Sequence, residues 1–171
     1  MIYPKIEDYF DFIFNDIRNL AYDDIKKPIY EKDRGVSKLD GVLEQIKNSD
    51  YYAHFYSKAA YLFASLSTGH YFANGNKRLA LFSFIYFLRI NKYRFRSIKK
   101  EKYKEWFKTH FPNYKLSQIE FQSNAGWALY NFNKAMNIKE SENKQGHKYS
   151  FNEIKKLTEE FIQFMTRKKK K

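Results

Sequence analysis

A chain of 171 residues suits one domain with a real hydrophobic core and leaves no room for two of ordinary size. A content of 43% apolar and 20% aromatic residues excludes a disordered chain, and the absence of cysteine excludes a disulfide framework, a thiolate zinc site and a cysteine nucleophile. With 32 Lys and Arg against 19 Asp and Glu, a formal charge of +13 calls for an anionic partner but does not choose among nucleic acid, nucleotide phosphates, acidic proteins and membrane surfaces.

The opening stretch, MIYPKIEDYF, has neither the apolar core nor the cleavage site of a signal peptide, so a cytoplasmic protein is expected. Six glycines and three prolines allow long helices, and apolar residues recur mostly at helical spacing, which predicts an all-α fold. The first helix is expected over 6–21, with Tyr9, Phe10, Ile13, Phe14, Ile17 and Leu20 on one face. Residues 28–37, PIYEKDRGVS, read as a loop or short extended flap, followed by helices over 38–47 and 51–68. The helix expected over 76–91 is apolar on nearly all sides and is the natural centre of the bundle. Its most apolar run, 79–88, is about half the length of a membrane span, so no membrane partner is expected. A short strand over 93–97 and helices over 99–110 and 117–136 come next, then a polar linker. Ser150 and Glu153 form a capping box that opens the last helix. The basic run 167–171, without which the net charge is +8, is expected to be a solvated tail. The chain thus divides into a helical domain (1–137), a linker (138–149) and a C-terminal capping helix with its tail (150–171).

Chemically capable residues converge in one place, GHYFANGNKR at 69–78. Gly75 and Asn76 precede a strongly helical run, so the free N–H groups of a first helical turn sit behind a glycine that permits close approach, an arrangement suited to phosphate oxygens. Lys77 and Arg78 add positive charge at a helix end where the macrodipole disfavours it, which makes better sense with an anion present. Arg can grip a phosphate with two parallel hydrogen bonds, whereas Lys acts as a point charge. His70, on the loop leading into this position, carries a side chain able to accept a proton near neutral pH. A base beside a phosphate cradle suggests phosphoryl or nucleotidyl transfer.

The segment GHYFANGNKRLALFSFIYFL resembles the signature of the Fic/Doc superfamily, His-x-Phe-x-(Asp/Glu)-Gly-Asn-(Gly/Lys)-Arg followed by an apolar helix, and its Lys is typical of the Doc (death-on-curing) branch. The resemblance runs from about Ser37 to Tyr93, roughly a third of the chain. It implies a compact all-α bundle around a central buried helix, with the motif loop cradling ATP and part of that nucleotide transferred to a protein hydroxyl. His70 would be the general base. Gly75 and Asn76 would bind phosphate oxygens, together with Lys77. Arg78 would pair with a phosphate and stabilise the charge of the leaving group, and Phe72 would anchor the loop. Lys77 in place of the Gly common in adenylylating members, and Leu81 where those members tend to carry a second Arg, favour transfer of the terminal phosphate, and hence a Doc-type protein kinase, over transfer of AMP.

The family's acidic position, whose carboxylate holds Mg²⁺, is Asn74 here, and a neutral amide oxygen is a weaker ligand for a hard cation. This leaves Mg²⁺ doubtful as a cofactor and keeps open a catalytically silent Fic-fold module that binds a nucleotide or nucleic acid. A flap at Tyr30, Glu31, Lys32, Asp33 and Arg34 would dock the target by strand addition, with an ordinary surface loop as the alternative reading. The inhibitory pattern of some members is missing, because Ile138 stands where Glu142–Asn143 would need Ser or Thr. Any restraint would then come from a separate antitoxin or from the C-terminal helix. The resulting expectation is the toxin of a toxin–antitoxin pair, acting on a cytosolic protein such as a translation factor. Nucleic acid ranks below these partners because no groove-reading motif is present.

Overall fold

The structure, a computed structural model, describes residues 1–19, 28–31, 34–137 and 149–169. It is an all-α bundle with one two-stranded ribbon. The first helix, α1, is composite: an α-helical turn Ile6–Asp8, a π-helical stretch Tyr9–Ile13 and an α-helical end Phe14–Asn19. There follow α2 (Gly35–Asn48), α3 (Phe55–Thr68), α4 (Asn76–Ile90), β1 (Tyr93–Phe95), α5 (Lys100–His110), α6 (Asn124–Met136), α7 (Phe151–Met165) and β2 (Thr166–Lys168). No helix among the described residues is long and apolar enough to cross a membrane.

The centre of the bundle is α3 rather than α4. Its small residues Ala59, Ala60, Ala64, Ser65 and Ser67 are buried on several sides and let α4 and α7 pack closely against it. The helix expected to be buried all round, α4, instead exposes Ile85, Lys77 and Arg89 and turns Leu79, Ala80, Ser83, Phe84, Phe87 and Leu88 inward. Lys58 of α3 is buried, and its ammonium donates to the carbonyls of Ile46 and Ser49 at the end of α2. Burial lowers its pKa, while these bonds satisfy carbonyls that a helix end leaves free.

The aromatic content is organised in clusters. Beneath the motif loop, Phe14 stacks on Tyr30 at 4.7 Å and Phe72 meets Tyr30 edge-on at 5.1 Å. Beneath the ribbon, Tyr93 stacks on Phe55 at 3.7 Å and Phe55 on Phe87 at 5.1 Å. Between α5, α6 and α7, Phe132 stacks on Phe161 at 4.2 Å and Trp106 lies 4.7 Å from Phe161. Offset and edge-on ring pairs of this kind add about 0.5–1.5 kcal/mol beyond the area they bury.

Among the elements that differ from the sequence expectation, three show a physical reason. Helix α2 begins at Gly35, inside the expected flap, and a Cβ there would lie 2.4 Å from the Tyr71 carbonyl oxygen, so glycine lets the start of α2 touch the motif loop. Helix α6 begins only at Asn124, because Asn131 accepts from the Ser117 N–H at 2.8 Å and Trp127 donates to the Ser117 carbonyl at 3.0 Å, holding the preceding segment in an irregular path. The basic C-terminal run does not leave as a free tail: Thr166–Lys168 pair antiparallel with Tyr93–Phe95, although the cationic side chains remain exposed. The capping box at Ser150 is formed, with the Ser150 N–H donating to Glu153 at 2.7 Å, and α7 buries Phe161, Ile162 and Met165 in the shared core. The expected linker lies almost wholly outside the described residues.

Burial pushes the Tyr103 and Tyr114 hydroxyls up to about 12, with Tyr130 adding to the effect at Tyr114. A group whose folded pKa is raised contributes stability that is fully present below the unfolded value, about 10 for Tyr, and is lost as pH rises through the folded value. Stability to denaturant should therefore hold up to about pH 10 and fall between roughly 10 and 12. The Tyr103 hydroxyl is also buried without a hydrogen-bond partner. Tyr103→Phe is expected to reduce the alkaline loss and to raise neutral-pH stability by about 1 kcal/mol, read from urea unfolding curves.

Candidate active site

The motif loop is closed by its own asparagine. Asn76, at the first position of α4, accepts from the Phe72 N–H at 3.0 Å and donates to the Phe72 carbonyl at 2.7 Å. Both polar groups of one backbone residue are thereby tied to one side chain, fixing the five residues 72–76 as a ring. Phe72 itself is buried, with its ring against Tyr30 and Phe14. Phe72 is the residue to which the resemblance gives the anchoring role.

Gly75 caps α4 in a left-handed conformation (φ +81°), which side-chain-bearing residues rarely adopt. Its carbonyl starts the helix by accepting from the Leu79 N–H at 2.9 Å, and it also accepts from the Tyr30 hydroxyl at 3.0 Å. A Cβ at Gly75 would lie 2.3 Å from that hydroxyl oxygen, so the site needs glycine for contact as well as for conformation. The first-turn N–H groups of α4 are, as at any helix start, free of intrahelical partners. The positive end of the helix dipole adds to the field there.

Arg78, one turn in, is partly buried, and its Nη1 is buried without a hydrogen-bond partner. Its Nη2 is 3.5 Å from the Asn74 side-chain oxygen, the outer limit of a hydrogen bond. An Arg nitrogen left unsatisfied at a helix N-terminus is an energetically costly arrangement that an anion would relieve. Lys77 is exposed on the same turn. Its carbonyl accepts from Asn133 of α6 at 3.0 Å, and Asn133 in turn accepts from Ser67 of α3 at 2.6 Å and is bridged by Asn137. This buried polar network fastens the first turn of α4 to two neighbouring helices.

His70 lies two residues before the clasp, exposed, in the left-handed region (φ +47°). Positive φ is uncommon for a residue with a side chain and tends to mark functional positions. The ring is therefore presented to solvent on a loop whose far end is pinned.

The flap residues are divided. Tyr30 is fully buried and serves the motif loop rather than the surface. Burial raises its hydroxyl well above the ordinary value, outweighing the opposing field of Arg78, so at neutral pH it remains a donor. Glu31 pairs with Arg18 of α1. Burial pushes the Glu31 carboxyl up, but the Arg18 guanidinium outweighs it and holds the group below the usual carboxylate range. Arg34 is exposed just before α2, and Lys32 and Asp33 lie outside the described residues. Sequence reasoning missed the loop-holding roles of Tyr30, Ser67 and Asn133. A signal for the network was present, since Asn131, Asn133 and Asn137 recur on an otherwise apolar helix, where buried amides must find partners.

The Asn74 oxygen faces a guanidinium, and the described residues contain no group of three or more His, Cys, Asp or Glu side chains able to hold a metal ion.

In comparison with known proteins, residues 9–88 match the model of the Fic/DOC family. The matched segment is just under half of the chain and contains α1 to most of α4 with the whole motif loop, and it supports the Fic/Doc superfamily. The curated proteins and the solved structures give no match.

Tyr30→Phe keeps the ring stack and removes only the bond to the Gly75 carbonyl, so it should cost about 1 kcal/mol in chemical denaturation. Gly75→Ala should cost more, about 1–3 kcal/mol, because it adds left-handed strain to a clash with Tyr30. Adding Tyr30→Phe to Gly75→Ala should recover part of that loss, because it removes the clashing oxygen.

Proposed function

We propose that this protein transfers part of ATP to a protein hydroxyl, and that the transferred part is the terminal phosphate, as in the Doc branch. The carrying observation is the unpartnered Arg78 Nη1 at the N-terminus of α4, on a loop that also presents His70. The Fic/DOC match over residues 9–88 supports nucleotide-dependent protein modification in general, and Lys77 and Leu81 favour the phosphoryl outcome.

In this reading the first-turn N–H groups of α4, Lys77 and Arg78 hold the phosphates. His70 removes the proton of a target Ser, Thr or Tyr hydroxyl as its oxygen bonds to the terminal phosphorus, the bond from that phosphorus to the bridging oxygen breaks, and ADP leaves. Arg78 stabilises the charge that builds on the departing oxygen, a contribution of several kcal/mol in comparable sites. Mg²⁺ is assigned no step. The target is a cytosolic protein, with a translation factor as the first candidate, and a separate antitoxin is the restraint.

A second reading is favoured by the contact between Asn74 and Arg78: a silent module that holds a nucleotide without turning it over. The two separate on incubation with a host lysate and ATP labelled at the α or the γ phosphate, with Mg²⁺ and Mn²⁺ supplied. A γ-labelled protein band that disappears in His70→Ala is expected. An α-labelled band would establish AMP transfer instead, and ATP binding with neither band would establish the silent module. Arg78→Ala should lower the transfer rate by about 10²–10³-fold.

A further inference from the structure

The ribbon formed by β1 and β2 carries a charge pattern that folding alone does not favour. The register pairs Tyr93 with Lys168, Arg94 with Arg167 and Phe95 with Thr166. The ladder continues outward, with Lys169 donating its N–H to the Lys92 carbonyl at 2.8 Å. One pair of like charges, Arg94 with Arg167, thus stands directly across the ribbon, with Lys92 and Lys169 joined through their backbones just beyond it, and opposed like charges destabilise strand pairing. Tyr93 and Phe95 turn toward the core, where they meet Phe55 and Phe84. By strand alternation Arg94 and Arg167 share the opposite face, and Lys92, Arg96 and Lys169 flank them just beyond the strands; all five are exposed. None of the five makes an ion pair with an acidic side chain among the described residues. The Arg96 guanidinium donates to the Thr166 carbonyl at 2.8 Å and is held flat along the ribbon.

We propose that this face binds the phosphate backbone of duplex DNA. The cations follow the two paired segments in rows about 4.8 Å apart across the ribbon, and a two-stranded ribbon is a shape that the B-DNA major groove admits. The aromatic rings of the ribbon are used up in the core, so the face offers charge and guanidinium forks without the stacking platforms that single strands require. An anionic partner also answers the like-charge pairing, because phosphates between the rows replace repulsion with charge-assisted hydrogen bonds. The surface is independent of the nucleotide reading: α4 has 15 residues, the motif loop lies at its N-terminal end and the ribbon follows its C-terminal end, about 22 Å away along the axis.

The test is fluorescence anisotropy of a labelled DNA duplex of about 20 base pairs titrated with the full chain between about 50 and 200 mM salt. The affinity should fall with salt with a log–log slope of about −4, the signature of four to five phosphate contacts at about −0.9 each. Arg94→Glu with Arg167→Glu should weaken binding at least tenfold and make the slope shallower by about two. Lys38→Glu with Lys134→Glu, an equal charge change near the motif loop, should leave the slope as it was. Arg94→Gln, a milder change, should raise the melting temperature at low salt while weakening DNA binding. Absence of duplex binding at low salt would overturn the proposal and reduce the cations to protection of exposed strand edges. An unchanged slope in the double ribbon variant would also overturn it, as would binding to phosphatidylserine vesicles in place of DNA.

Discussion

The Asn76 carboxamide, closed on both backbone groups of Phe72, is the interaction on which the rest of the site depends. It converts an irregular loop into a ring of fixed shape whose last member is the first residue of α4. Because the same residue ends the loop and begins the helix, loop geometry and helix direction cannot vary separately. The Tyr30 hydroxyl adds a second constraint by holding the carbonyl of Gly75, the residue that caps α4. Pinning of this kind lets a helix terminus act as a preorganised anion site rather than a frayed end.

The constraint reaches into the core. Tyr30 holds Gly75 only because its ring is clamped between Phe14 and Phe72, and Phe72 is held by the clasp, so the ring cluster and the loop each stabilise the other. On the opposite side, the Ser67–Asn133–Asn137 network takes the Lys77 carbonyl and fixes the first turn of α4 to α3 and α6. A deeply buried amide network is tolerable only when it is satisfied, and this one completes its bonds by gripping the helix that carries the cations. The nitrogen left unsatisfied is on Arg78.

Much of this was legible in the sequence, and what was not has physical reasons. Helix α4 and the motif loop could be read closely because glycine, asparagine and an apolar run mark a helix start without help from distant contacts. The inward place of Phe72 was expected from the resemblance, which gives that position the role of anchoring the loop. The position of α3 at the centre was hidden because α4 carries the longer run of large apolar side chains, whereas the small Ala and Ser residues of α3 reveal only in the fold how closely they let neighbours pack on several sides. Tyr30 looked like part of a surface flap because its segment is charged, and only the fold brings it beneath Gly75. The pairing of β2 with β1 joins segments more than 70 residues apart, and a run of like charges gives no local cue for strand pairing.

The central claim is that the N-terminus of α4, completed by Arg78, holds the phosphates of a nucleotide. Isothermal titration calorimetry of ATP into the wild-type chain and into Arg78→Ala tests it most directly. Saturable binding by the wild type, weakened at least tenfold in the variant while thermal melting shows it still folded, is the result this account predicts. Equal affinity in both proteins, or no binding by the wild type, would contradict it.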